Sequence, residues 1–178
     1  MSTLTADPGF ARGQVLGILW KAYDAESGDG SHIVGTRKVF RDEDPKTGKL
    51  LSNRTVECVA VKNTGSSALL PGQVAKFKDA AILSEVDGLA VAATTLMGVV
   101  DEYLPAAGVP VNEVFWLVVR GPSTVTKTAT SVAAGAAYGP SATAGSAAAQ
   151  GSNAQLGFAI ETSATTSGRI LVRTNAGF

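Results

Sequence analysis

The chain has 178 residues, with 15 basic and 15 acidic side chains and a single cysteine. That length favours one domain, or one domain with an extended arm, and suffices to bury a core without disulfides. Balanced charge gives no long-range pull on phosphates, one cysteine excludes an intrachain disulfide, and no apolar run approaches the ~20 residues of a membrane span, so neither nucleic acid nor membrane is expected as a partner.

Charge is unevenly spread along the chain. Residues 1–62 carry 17 charged side chains, residues 63–120 carry 9, and residues 121–178 carry 4. None lies between Thr128 and Ile160. A lone soluble domain covers its surface with both signs of charge. A stretch this long without any points either to cover by another protein or to solvation by small polar side chains.

Residues 1–35 are turn-rich. The pieces DPGFARGQ and DAESGDGSHIVG flank VLGILWKAY, which fits a short strand or a buried helical turn. This segment is read as an arm on a single β-rich domain spanning residues 36–178. Its opening residues show no apolar h-region and no early positive cluster, so the expectation is a chain made in the cytoplasm without a targeting leader.

From Thr36 the signals are those of strands. TRKVF and KLLSNRTVECVAVKN flank RDEDPKTG, a loop punctuated by Pro45 and Gly48. In TVECVAV, Val56, Cys58 and Ala60 share one face while Glu57, Val59 and Val61 share the other, the pattern of a strand buried on both sides. NTGSSALLPGQ is a connector, and VAKFKDAAIL alternates. Ala and Leu around Gly88–Met97 predict one helical turn, which Thr94 and Thr95 weaken. VFWLVV, bounded by Asn112-Glu113 and Arg120-Gly121-Pro122, predicts a central strand. FAIET and RILVR predict a hairpin around SATTSG. The recurrence of Gly-bounded turns and short Val-rich strands predicts an all-β fold, a small barrel or sandwich with little helix.

Between Val132 and Gln155 runs VAAGAAYGPSATAGSAAAQGSNAQ. Its alanines favour helix, but Gly135, Gly139 and Gly145 each cost about 1 kcal/mol there and Pro140 about 3. Its glycines keep no three-residue period, which excludes collagen. Tight turns and short strands with closely approaching backbones remain. Ala137, Tyr138 and Ala144 are candidate oligomer contacts, the alternative being an ordinary surface hairpin.

Ingredients for catalysis are sparse. His32 is the only histidine, so no two-His metal site exists, and nothing near it resembles a nucleophile elbow. Cys58 lies within a β run with no basic neighbour to lower its pKa, and reads as a small buried hydrophobe. In DEDPKTG, Lys46 stands where a calcium loop needs an oxygen ligand, so a solvated loop is the stronger reading. GSSALLPG lacks the Lys-Ser/Thr ending of a phosphate cradle. No enzyme activity, cofactor or metal is expected. Trp116, in an apolar run, reads as core. Phe10, Trp20 and Tyr23, in the arm, are candidate partner contacts, the alternative being packing onto the chain's own domain.

Four segments carry a resemblance: CVAVKNTGSSALLPGQVAKF (58–77), GVVDEYLPAAGVPVNEVFWLVVRGPSTV (98–125), GAAYGPSATAGSAA (135–148) and LGFAIETSATTSGRILV (156–172). In order and spacing they resemble the head-decoration, or capsid cement, proteins of tailed bacteriophages. The likeness spans residues 58–172 and rests on turn residues and short strands; residues 1–57 match less clearly. It implies a small β-barrel or β-tulip module, a trimer or alternatively a dimer, bound to the major capsid protein on the outer surface of the virion without catalysis. A virion surface receptor- or glycan-binding module of the fibre type is the alternative.

Overall fold

The computed structural model describes residues 34–43, 47, 49–81 and 83–174. The arm residues up to 33, with Phe10, Trp20, Tyr23 and His32, lie outside the described residues, as does most of the DEDPKTG loop. Among the described residues the fold is all-β, with ten strands and no helix.

The strands are β1 (Arg37–Glu43), β2 (Leu50–Asn63), β3 (Val74–Phe77), β4 (Glu85–Leu89), β5 (Met97–Val100), β6 (Val114–Thr126), β7 (Ala137–Pro140), β8 (Ala147–Ala149), β9 (Gly157–Ala159) and β10 (Ser167–Arg173). They form one sheet in the order β1-β2-β4-β3-β5-β6-β10-β9-β7-β8. Because β2 pairs with β6 as well as with β4, the strands β2, β4, β3, β5 and β6 close into a ring. All its pairs are antiparallel except β2 with β4. A second circuit runs β6-β10-β9-β7-β8 and returns to the end of β6 through a bridge between Lys127 and Ala147. Two small rings therefore share one long strand, which is the barrel-like architecture that the strand spacing predicts.

The double-sided burial read from TVECVAV holds. Val59 and Val61 join Ala75, Phe77, Val86, Val100, Phe115, Leu117 and Val119 in a cluster drawn from all five strands of the first ring. Gly98 is needed there, since a Cβ on it would lie 2.7 Å from the Leu117 side chain. The alternate side chains, Val56, Cys58, Ala60, Trp116 and Val118, belong to a second cluster with Phe40 and with Val125, Tyr138, Leu156, Ile170 and Val172 of the second ring. Phe40 meets Trp116 edge to face at 5.3 Å between centroids, a preferred aromatic arrangement.

Two expectations are corrected. No helical turn forms around Gly88–Met97; β4 ends at Leu89 and β5 begins at Met97. Between them Thr94 donates its N–H to the Val91 carbonyl at 2.7 Å and accepts the Val91 N–H on Oγ1 at 3.0 Å. Its hydroxyl thus closes a turn in competition with helix. Nor does the central strand stop at Arg120-Gly121-Pro122; β6 runs on to Thr126. Glu57 faces Arg120 while Cys58 faces Val118, so β6 carries one extra residue there. That bulge reverses the alternation, and Ser123 and Val125 turn inwards where Val118 did before. Gly121 at φ 108° makes the switch; β10 takes over from β5 along one edge of β6, while β2 leaves the other edge at Arg120.

Candidate functional site

Where β2 and β10 part on either side of β6, they leave an open groove of about 670 Å3. It is lined by Val39 of β1, by Asn53 to Thr55 and Glu57 of β2, by Arg120 and Gly121 of β6, and by Leu171 to Arg173 of β10. Strand register builds it. Val39 faces Glu57, Glu57 faces Arg120 and Arg120 faces Arg173, one row across four strands. Leu171 faces Phe158 of β9, which in turn faces Ala137 of β7, a second row of which Leu171 alone belongs to the groove lining. Val39 is 58% exposed and Phe158 36%.

The electrostatics of the row are unbalanced. Arg54, Arg120 and Arg173 are exposed, and none of them makes an ion pair among the described residues. Glu57 is the one acid in the lining, and Arg37 also approaches it at 3.9 Å. Arg120 and Arg173 stand directly opposite each other, and like charges in that position destabilise a sheet. The groove's shape is set by backbone, since a Cβ on Gly121 would lie 2.4 Å from the Thr55 carbonyl oxygen.

A separate polar cluster ties the sheet together. Asp42, 3% exposed, receives the Arg169 guanidinium at 3.1 Å, and the same guanidinium lies 3.6 Å from Glu102. Glu102 accepts the Thr124 N–H at 2.9 Å and the Thr124 hydroxyl at 2.6 Å. A buried carboxylate requires such partners, so these residues read as structural. Burial, with help from Glu102 and Asp42, pushes the neighbouring Tyr103 hydroxyl up to about 12. Lys127, 2% exposed, donates from Nζ to the carbonyls of Thr128 and Thr130 at 3.1 and 3.0 Å.

Cys58 is fully buried. Desolvation above all, then Asp101 and Glu57, raises its pKa well above the usual thiol range, which favours the protonated thiol. Among the described residues no group of three or more His, Cys, Asp or Glu is placed to hold a metal ion.

The charge-free stretch has two sides. Tyr138 is 1% exposed, its ring packed in the chain's own second cluster. Gly145, at φ 74°, donates its N–H to Ala90 and accepts that of Val74, both at 2.9 Å, so the β7–β8 turn docks on the first ring. Ala137 is half-buried and Ala144 is exposed. These two sequence-derived candidates are thus surface-accessible, whereas Tyr138 fills the interior of a single copy.

No protein-family model matches this chain, and no curated protein matches it. Among solved structures, a chain from the capsid of Myoviridae Phage XM1 is similar at a TM-score of 0.44 and 19% identity, over 71% of this chain and 88% of that one. So distant a likeness carries no functional argument.

The arginine groove is the feature that sequence reading missed. Arg120 and Arg173 end the apolar runs VFWLVVR and RILVR, which is the only local signal. Their juxtaposition depends on the register of β6 with β10, which no linear pattern displays.

Proposed function

We propose that this chain is a structural virion protein that decorates the outer surface of a tailed-phage capsid, binds the major capsid protein lattice and stabilises the shell. The observation that carries the reading is where the resembling segments fall. Residues 58–77 hold the C-terminal part of β2 with β3, residues 98–125 hold most of β5 and β6, residues 135–148 hold β7 and the start of β8, and residues 156–172 hold β9 and most of β10. The resemblance to cement proteins therefore covers strands of both rings together with the turns that join them, β4 being the ring strand it leaves out. Many copies bound across subunit seams favour the assembled shell by mass action. The chain itself assembles as a trimer, or a dimer, with Ala137 and Ala144 at the contact and Phe10, Trp20 and Tyr23 of the arm on the capsid.

The fibre-type alternative needs exposed aromatic platforms for sugars. Trp116 is 2% exposed beneath Phe40 and offers none.

The test compares particles with and without this chain. Depleted particles are expected to release their genome at a lower temperature and to yield sooner to chelator, and adding back the purified protein restores resistance. Equal resistance with and without the chain overturns a cementing role.

A further inference from the structure

We infer that the groove between β2 and β10 is a docking site for an acidic, extended segment of a partner protein. Three observations converge. The groove lining carries three arginines against one glutamate, and those arginines make no ion pair among the described residues. Two of them, Arg120 and Arg173, face each other directly across the β6–β10 ladder, an arrangement that costs the free protein stability. Carboxylates arriving between them relieve that repulsion and gain planar, two-point contacts that guanidinium makes with carboxylate.

The third observation separates a peptide from a polyanion such as nucleic acid. The arginines sit beside apolar side chains, not in a uniformly basic strip. Val39 is exposed on one wall, and Leu171 lines the other. An extended peptide alternates its side chains at a period of two, so a segment with acidic and aliphatic residues in alternation places both kinds where the groove has partners. A phosphate backbone has no apolar counterpart for Val39 and Leu171, and the chain as a whole carries no net charge to attract one. Because Gly121 and the bulge in β6 fix the backbone, the groove is open before any ligand arrives, which limits the ordering cost of binding. The inference concerns the groove alone and does not depend on the virion role.

The experiment uses the full chain and fluorescence anisotropy with three labelled probes: a peptide alternating glutamate and valine, one alternating lysine and valine, and an oligothymidylate of the same net charge as the acidic peptide. The acidic peptide is expected to bind, and the lysine peptide not. Charge reversal in Arg120→Glu with Arg173→Glu weakens the acidic peptide by at least about tenfold. Lys78→Glu, outside the groove, leaves it unchanged. All substituted side chains are exposed, and a cooperative melting transition in each variant shows that it is folded. Val39→Ser weakens the acidic peptide without altering its salt dependence. Equal binding of both peptides, insensitivity to the double reversal, or tighter binding of the oligothymidylate each overturns the proposal.

Discussion

The two rings that share β6 are closed by different means. The first is closed by side chains: Val59, Val61, Phe77, Val86, Val100, Phe115 and Leu117 fill it from all five strands. The second is closed by backbone. Its strands β7, β8 and β9 have only three or four residues each, and glycines let them touch. A Cβ on Gly139 would lie 2.8 Å from the Ala154 carbonyl oxygen, and one on Gly157 would lie 2.2 Å from that of Leu171. One large ring, Tyr138, then supplies much of the interior volume. A ring built this way has little room for long side chains, and four charged residues serve the whole of residues 121–178. The lesson is that low charge and high Ala/Gly content here follow first from close strand packing within one chain.

The largest effect is expected where the rings meet. Gly121 combines a φ of 108° with a Cβ position 2.4 Å from the backbone of Thr55. Ala at that position strains the backbone and clashes with an atom that cannot move aside. We expect Gly121→Ala to cost about 3–5 kcal/mol and to weaken both rings together, because β6 belongs to both. Urea titration followed by far-ultraviolet circular dichroism checks this. A loss under about 1 kcal/mol means that the junction is looser than described.

A smaller and more local effect separates shape from polarity in the second ring. Tyr138→Ala empties its centre and is expected to cost about 3–5 kcal/mol. Tyr138→Phe keeps the ring and removes a buried hydroxyl that has no hydrogen-bond partner, so it stays within about 1 kcal/mol of the parent. The pair also has a pH signature. Burial, and secondarily Glu161, raises the Tyr138 pKa, and burial raises that of Tyr103 to about 12. A raised folded-state value favours the protonated form in the native protein. Below the ordinary tyrosine value near 10 the folded state is undisturbed. As pH climbs above it the unfolded chain ionises first, and stability falls until the folded-state value is passed. Melting curves between pH 9 and 12 should therefore decline steeply in the parent, less steeply in Tyr138→Phe, and still less when Tyr103→Phe is added. Parallel curves refute the assignment.

Much of the first ring was legible in the sequence. The two-sided burial of TVECVAV and the apolar run around Trp116 specify strands wherever they occur, because both patterns are local. The hairpin of FAIET and RILVR was readable for the same reason, although β9 ends at Ala159 and β10 begins at Ser167, inside the expected loop. Ring closure was not. It depends on β2 pairing with β6 about sixty residues away in the chain, and pairing partners leave no mark on period or composition. The bulge at Val119 was equally hidden: Gly121 and Pro122 signal a strand end when read locally, yet here they let the strand change neighbours. Asp42 sits in the sequence of a turn-rich loop yet is buried against Arg169, a contact that only tertiary structure can make. The groove suffers from the same limit, since its row of Val39, Glu57, Arg120 and Arg173 draws one residue from each of four strands.

The smallest effect on the fold carries the sharpest test of the second ring's outer side. Ala144 is exposed, while its neighbour Gly145 is locked onto Ala90 and Val74. A lysine at position 144 therefore points away from the chain's own barrel and should change monomer stability by no more than about 0.5 kcal/mol. If copies of this chain meet around an axis at the β7–β8 turn, the same substitution brings like charges together there, and the particle mass from light scattering falls to that of one chain while the melting of the monomer is preserved. Ala137→Lys, half-buried opposite Phe158, should do the same at a somewhat greater cost in stability. An unchanged mass in both variants removes the turn from the oligomer contact. Packing of the stretch on its own barrel, through Tyr138, Gly145 and Ala147, then suffices to explain why the 33 residues from Thr128 to Ile160 manage without charge, with threonine and serine hydroxyls solvating the side left open.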